Sequence, residues 1–352
     1  ALAEARLSLK DVDGLLPAGM WGIGGAGQLA AVTLSEYLGI IPRFADSTNL
    51  GGCAFEAFVG HAQMAIERGD CEVALITYGS TQKSDRSRNL GGRPPSLTMQ
   101  YEAPFGLPTP IGGYALAAMR HMHEFGTTSE QLAEIAVATR KWAAMNEQAT
   151  HRTPLSVADV LASPLISDPL HQLDACLVTD GGGAVVMTTR EHAQALGVAP
   201  TRVRGCGEAC THWTMGAMPD LTRLIPAEMS GQRAMQRAGV THADIDVVEV
   251  YDSFTITVLM TLEALGFCKR GEGGAFVSGQ RTAPGAAFPM NTNGGGLSYC
   301  HPGMYGIFLL IEAVRQLRGQ CGERQIPDAK VALVHGTGGT LSSGATCILT
   351  RH

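Results

Sequence analysis

The chain has 352 residues, which is long for one hydrophobic core and suits two domains or one fold built from two similar halves. Hydrophobic residues make up 45% and charged residues 16%, with 44 glycines, a composition that excludes a disordered or fibrous chain. A formal net charge of -6 without runs of lysine or arginine gives no electrostatic footprint for a phosphate backbone, so nucleic acid is not an expected partner.

Nine cysteines stand singly at 53, 71, 176, 206, 210, 268, 300, 321 and 347 with no signal peptide, which points to a reduced, cytoplasmic setting. The longest apolar stretches reach about 10 residues, short of the roughly 20 that a membrane-spanning helix needs. The opening "ALAEARLSLKDVDGLLPAG" has no initiating Met and starts as if part-way through a helix. The expectation is a chain whose first strand is missing.

In chain order, Gly25–Leu38 and Cys53–Arg68 read as helices and Cys71–Gly79 as a buried strand ending in glycine, an α/β rhythm. From Ser80 to about Leu170 the pattern becomes polar and rich in Pro and Gly ("GGRPPSL", "PFGLPTPIGG"), with helices predicted at Gly113–Phe125 and Ser129–Asn146; it reads as an inserted lid. Gly181–Thr189 returns to strand, and "TRVRGCGEA" opens a second set. That set comprises helix Gln232–Ala238, strand Asp246–Val250, helices Thr255–Leu265 and Met304–Leu317, strand Lys330–Gly336 and a strand around "ATCIL".

The two sets echo each other. "STNLGGC", a helix and "EVALITYG" are answered by "MNTNGGGLSYCHPG", a helix and "VALVHGTGG". Both helices are apolar on nearly all faces and are expected between layers, each starting at a candidate catalytic residue. Pseudo-twofold halves would bring the two helix N-termini, and so Cys53 and His301, to a shared centre.

A cysteine at a helix N-terminus feels the positive end of the macrodipole and free backbone N–H groups, which favour the thiolate. Packing alone would also account for Cys53, since cysteine is among the most commonly buried residue types. His301 precedes Pro302, a residue suited to the first turn of a helix; the bland alternative is a structural hydrogen bond. His335 is expected to end a buried strand and open a glycine-rich turn whose N–H groups are free for an oxyanion, or that simply reverses the chain. In "EVYDSFT", Asp252 or Ser253 would serve as a helix N-cap, while Tyr251 could direct its hydroxyl into a site. "CGEACTH" (Cys206, Cys210, His212) and "HMH" (His121, His123) lack a second ligand pair at zinc spacing, so no metal is expected in this chain. "GIGGAG" (Gly22 to Gly27) lacks the Lys-Ser/Thr of a P-loop and reads as a helix-start turn.

Taken together, "NTNGGGLSYCHPGMYG", "GGCA", "VVEVYDSFTITVLMTLEALGFC" and "LVHGTGG" resemble the thiolases, in particular the branch of sterol carrier protein x and bacterial and archaeal thiolase-like proteins. The resemblance spans nearly the whole chain. It implies a thiolase fold, a five-layered α/β/α/β/α arrangement of two duplicated halves: residues 1–80 and 171–200 as the N-terminal half, 81–170 as a loop domain and 201–352 as the C-terminal half. It also implies acyl-CoA chemistry. Cys53 would take the acyl group as a thioester, and His301 would activate it and help hold an oxyanion. Backbone N–H groups of Cys53 and of the turn after His335 would hold the other oxyanion, and Gly338 and Ser253 are expected at the coenzyme A site.

Three positions depart from the family. Tyr251 stands where the branch has histidine, Ser253 where it has its acid/base cysteine, and His335 where most thiolases carry a cysteine. His335 is therefore the expected second acid/base, since imidazole titrates near neutral pH, with Cys300 as a weaker choice. The expected activity is that of a coenzyme A-dependent thiolase cleaving or forming a β-ketoacyl-CoA with a bulky, branched, aromatic or steroid-like acyl part. The expected partners are a second copy of the chain and a small subunit that combines a zinc ribbon with an oligonucleotide-binding-type barrel. One rival is a thiolase-fold retro-aldolase acting on a side-chain thioester, in which tyrosines do the acid/base work. The other is a non-catalytic acyl-CoA or lipid carrier.

Overall fold

The computed structural model describes residues 1–18, 29–86 and 99–351. The "GIGGAG" stretch, the first residues of the helix predicted from Gly25 and the "GGRPPSL" segment lie outside them. One sheet contains β1 (Gly14–Pro17), β2 (Phe44–Ala45), β3 (Val73–Ser80) and β4 (Gly181–Thr188) in the order β2-β1-β3-β4. The other contains β5 (Thr201–Cys210), β6 (Val247–Val250), β7 (Val331–Gly338) and β8 (Ser343–Arg351) in the order β5-β8-β7-β6.

The pairing senses repeat between the sheets. Strand β3 lies parallel to β1 and antiparallel to β4, and β7 lies parallel to β6 and antiparallel to β8. Each of these strands follows a buried helix: α2 (Ala54–Glu67) before β3 and α7 (Gly306–Leu317) before β7. Those helices form the middle layer and pack on each other, with both sheets against them. Phe55 and Phe58 of α2 and Ile307, Leu309 and Leu310 of α7 are almost wholly buried, and full burial of such a side chain stabilises by about 1.5–3 kcal/mol.

Two helices, named here α1 (Ala30–Leu38) and α5 (Ile225–Ala238), close the outer faces, α1 on β1 and α5 on β5 and β8. The layers therefore run helix, sheet, helix pair, sheet, helix. Between β3 and β4 come α3 (Ile111–Phe125) and α4 (Ser129–Ala144), and α4 packs on the turn Gly295–Tyr299 that leads to His301. A capping box fixes the start of α4, with Thr128 Oγ1 accepting from Gln131 N and Gln131 Oε1 accepting from Thr128 N. Helix α6 (Thr255–Ala264) follows β6 and is buried along most of its length.

Several elements differ from the sequence reading, three of them close to the site or its sheets. The strand "GLLP" was not anticipated: it is four residues long and buried throughout, so it shows no alternation of apolar and polar residues. Helix α5 starts seven residues before the predicted Gln232, because Pro226 occupies its first turn, where the missing N–H costs nothing. Strand β7 does not stop at Gly336. It runs on to Gly338, which pairs with Ser343 across the β7–β8 hairpin.

Candidate active site

Cys53 closes a short 3-10 turn, Gly51–Cys53, and is the N-cap of α2. Gly51 has φ +75, and a side chain there would meet the backbone of Gly338 and Gly339. Glycine is needed both for the left-handed conformation and for the close approach of the β7 end. A side chain at Gly52 would overlap the ring of Tyr251 and lie 2.7 Å from Thr337 O, so the loop before Cys53 is wedged between β7 and the residue after β6.

The thiol is fully buried. Its hydrogen bonds run to Leu50 O (3.3 Å) and Ser343 Oγ (3.4 Å). Burial pushes it up to about 12, against a smaller downward pull from the Ser343 hydroxyl, and the nearby Glu56 carboxylate adds to the rise. This corrects the expectation of a resting thiolate. The helix terminus does favour negative charge, but removal from water outweighs it.

Tyr251 and His301 meet directly. The Tyr251 hydroxyl lies 2.8 Å from His301 Nε2 and also accepts from Tyr305 N at 3.1 Å. The Tyr305 ring stacks on the imidazole, with centroids 6.3 Å apart. Thr179 Oγ1 accepts from His301 N at 3.0 Å, which ties the histidine to the segment before β4. His301 is not at a helix start, as the sequence suggested, because α7 begins at Gly306 and a bend at Pro302 and Gly303 comes between them. Among the described residues no hydrogen bond joins Cys53 to either imidazole. Tyr251 touches both segments, its ring against Gly52 and its hydroxyl on His301.

His335 is placed elsewhere. Successive residues of a strand face opposite sides, and Gly336 faces α2, where a methyl group would overlap Glu56 and approach Cys53 Cα to 2.7 Å. His335 therefore points to the outer layer. Its Nδ1 is 2.8 Å from Thr346 Oγ1, which in turn is 2.9 Å from Ser230 of α5. Burial lowers its imidazole to about 3, so the ring is neutral at physiological pH. Both its direction and its proton affinity correct the expectation that His335 is the second acid/base.

Gly338 faces the Cys53 loop, where a side chain would collide with Leu50 O. Because β7 is paired to its end, the free N–H groups expected straight after His335 are strand residues, and the reversal falls at Gly339–Ser342. Ser253 Oγ bonds Thr257 Oγ1 at 2.9 Å, and its carbonyl accepts from Cys176 N. The N-cap of α6 is Phe254 rather than Ser253 or Asp252. Asp252 instead accepts the N–H groups of Gly296 (2.6 Å) and Leu297 (3.1 Å), and burial raises its carboxyl to about 7. Cys300 is buried, which raises its thiol.

Thr179, Ser343 and Glu56 were not anticipated, and Asp252 was expected only as a helix N-cap. A signal for Glu56 was present: it is the one charged residue in the apolar run "AFEAFVG". The zinc-like patterns come apart in space. Cys206 lies 3.4 Å from Cys347 Sγ, His212 contacts Thr211 and Thr340 O, and His121 contacts Thr127 and Glu263. Among the described residues no group of three or more His, Cys, Asp or Glu side chains is placed to hold a metal ion, and no helix is long and apolar enough to cross a membrane.

Residues 207–351 match the family model described as thiolase C-terminal domain-like. An acetyl-CoA acetyltransferase of Methanothermobacter thermautotrophicus is 32% identical over 90% of this chain and 83% of its own length. A steroid side-chain-cleaving aldolase of Thermomonospora curvata is 34% identical over 96% of this chain and 88% of its own. Among solved structures, an Ltp2-ChsH2(DUF35) aldolase superposes with a TM-score of 0.88 at 32% identity, covering 100% of this chain and 90% of that one. The chain belongs to the thiolase superfamily, in the branch that includes sterol carrier protein 2. It has the thiolase fold, and its relatives include both thiolases and aldolases.

Proposed function

We propose that the protein is a coenzyme A-dependent thiolase that cleaves or forms a β-ketoacyl-CoA through an acyl thioester on Cys53. The observation that supports this most is the meeting of the two duplicated halves at the nucleophile. Gly306, at the start of α7, abuts Gly52 O so closely that a side chain would overlap it, which sets the Cys53 loop beside the Tyr251–His301 pair. In this reading Cys53 accepts the acyl group, and the Tyr251–His301 pair exchanges the proton that leaves or joins the α-carbon. Gly338 and Ser253 border the coenzyme A site. Residues 1–80 and 171–200 form one half, 201–352 the other, and 81–170 the loop domain. The acyl part is bulky, branched, aromatic or steroid-like. The enzyme works in the cytoplasm as a homodimer with a small zinc-ribbon and oligonucleotide-binding-type subunit, a partnership supported by the likeness to the Ltp2-ChsH2(DUF35) aldolase.

A second reading, retro-aldol cleavage of a side-chain CoA thioester, is favoured by one specific feature. The site's hydrogen-bonded acid/base contact is Tyr251 with His301, and the cysteine stands outside it. Incubation with a panel of β-ketoacyl-CoA and β-hydroxyacyl-CoA thioesters, with the small subunit present, separates the two. The thiolase reading expects a Cys53 acyl adduct by peptide mass spectrometry and loss of shortened acyl-CoA in Cys53→Ala. Full turnover by Cys53→Ala, with loss in Tyr251→Phe, transfers the assignment to aldol cleavage.

A further inference from the structure

The bend that carries His301 lies in sequence between β6 and β7, yet its main chain is held from the sheet of β1–β4. Tyr78 and Ser80 of β3 and Gln82 just beyond it are buried, while Gly79, Thr81 and Lys83 are exposed, the alternation of a strand with one covered face. The Tyr78 hydroxyl donates to Pro302 O at 2.5 Å, and Gln82 Nε2 donates to His301 O at 3.5 Å. From the approach to β4, Thr179 Oγ1 accepts from His301 N at 3.0 Å and Thr179 N donates to His301 O at 3.3 Å. Gly303 has φ +95, and a side chain there would lie 2.9 Å from Gln82 Oε1 and 3.1 Å from the Tyr78 hydroxyl.

Glycine leaves such a bend free to pivot, because no side chain restricts its torsions. Three side chains, Tyr78, Gln82 and Thr179, take up that freedom from one side. The imidazole reaches the other way, where its Nε2 meets the Tyr251 hydroxyl at 2.8 Å. The Tyr78 ring also packs edge-on against Phe55, with centroids 5.3 Å apart, and Phe55 is two residues after Cys53 in α2. One side chain therefore touches both the helix that Cys53 caps and the His301 bend. Burial pushes the Tyr78 phenol well above its usual range, so it remains a donor at any working pH.

We propose that Tyr78 and Thr179 are positioning residues for the Tyr251–His301 pair. They clamp the main chain of His301 and Pro302, so that the imidazole stays on the Tyr251 hydroxyl and the bend keeps its place beside α2. The role rests on the proposed function for the reaction it serves, and both the thiolase and the retro-aldol readings use the pair. The two hydroxyls are the groups that act, since the aromatic ring and the branched carbons contribute packing that Phe and Val would retain. A misplacement of about 1 Å at a reacting group costs on the order of 10²-fold in rate. Loss of either hydroxyl is therefore expected in kcat rather than in KM.

Nitrogen NMR of the isotope-labelled protein reads the His301 imidazole without a substrate, its signals assigned by their absence in His301→Gln. Tyr78→Phe and Thr179→Val each remove one hydroxyl, and both are expected to move the His301 nitrogen shifts and the midpoint of their pH titration. Thr179→Ser keeps the acceptor and should leave them near the wild type. The signals of His121 and His242, held by Glu263 and by Leu265 O, and the melting temperature report on folding. With a CoA thioester that the wild type turns over, Tyr78→Phe and Thr179→Val should lower kcat by about 10–100-fold with little change in KM, and Thr179→Ser should keep most of it. His301 signals that stay in place in both variants overturn the proposal, as does an unchanged kcat or an equal loss in Thr179→Ser and Thr179→Val. If Tyr78→Phe does not fold, the two Thr179 variants decide alone. If the signals move as expected but the wild type turns over no CoA thioester, the proposed function falls and the clamp stands.

Discussion

The hydroxyl of Tyr251 lies 2.8 Å from Nε2 of His301 and also receives the N–H of Tyr305. One oxygen thus joins the strand-end segment after β6 to the bend before α7, in a place where the family resemblance implies a histidine in this branch. Tyr251→Phe is expected to lower turnover of the cognate CoA thioester by about 10²–10⁴-fold, the range for loss of a positioned acid/base. It should also cost about 1–3 kcal/mol in a denaturant titration, because the buried Tyr305 N–H loses its acceptor. A variant with unaltered kcat would remove Tyr251 from the chemistry.

Ser343 stands beside Cys53, donating to Leu50 O at 2.6 Å and lying 3.4 Å from Cys53 Sγ. Its hydroxyl holds the thiol lower than burial alone would. Ser343→Ala should therefore slow formation of the Cys53 acyl adduct in stopped-flow or quenched-flow measurements and shift the rise of rate to higher pH. The accompanying loss of stability is expected to be about 1 kcal/mol.

His335 offers a pH signature. Its imidazole falls from 6.5 to about 3 on burial, so the folded protein binds this proton less readily than the unfolded chain does. The sign follows: stability from this group is complete above about pH 6.5 and is lost as pH falls toward 3. Denaturant titrations at successive pH values should show less acid destabilisation in His335→Gln than in the wild type. The pH–rate profile between 5 and 8 should carry no inflection from His335, and one that disappears in the variant would return it to the candidate acid/bases.

Arg324 bonds Glu312 Oε1 and donates to Thr292 O at 3.0 Å, while Glu249 accepts from the same Thr292. The buried Glu312 thus depends directly on the guanidinium, and Glu249 is linked to it only through Thr292. Arg324→Ala is expected to destabilise the fold by about 3–5 kcal/mol, the usual result of leaving a buried charge without its partner. A change within the error of the measurement would mean that the carboxyls are already protonated in the native state.

Gly338→Ala tests the seam in another way, because Leu50 O occupies the space a methyl group would need. It should cost about 1–3 kcal/mol as an overpacking change, with loss of acylation at Cys53. Gly79→Ala in β3, which meets nothing within 4 Å, should leave the melting temperature nearly unchanged.

The elements that were legible in the sequence are those whose local pattern matches their surroundings. Helices α2 and α7 are apolar almost all round because they are buried between sheets, and that pattern revealed both the layering and the duplication. β1 was not legible because four buried residues carry no period. The site divides in the same way. Cys53, Tyr251 and His301 stand in motifs that locate them along the chain, and the fold brings their segments together. His335 was misjudged because its role depends on which face of β7 it occupies, and the packing of the neighbouring Gly336 against α2 decides that. Glu56 escaped because a lone acid in an apolar helix signals something only when the glycines across from it, 250 and 280 residues away in the chain, are known to make room for it.

The contact of Gly306 with the carbonyl of Gly52 has a consequence for how the molecule can move. Main chain rests on main chain there, with no rotamer to turn aside. The two duplicated halves therefore cannot part at this point without separating Cys53 from the Tyr251–His301 pair, nor can they close further. In the thiolase reading proposed above, an acyl chain has to reach the sulfur by displacement of the surrounding loops, and adaptation to a new acyl chain has to occur in those loops while the central joint stays as it is.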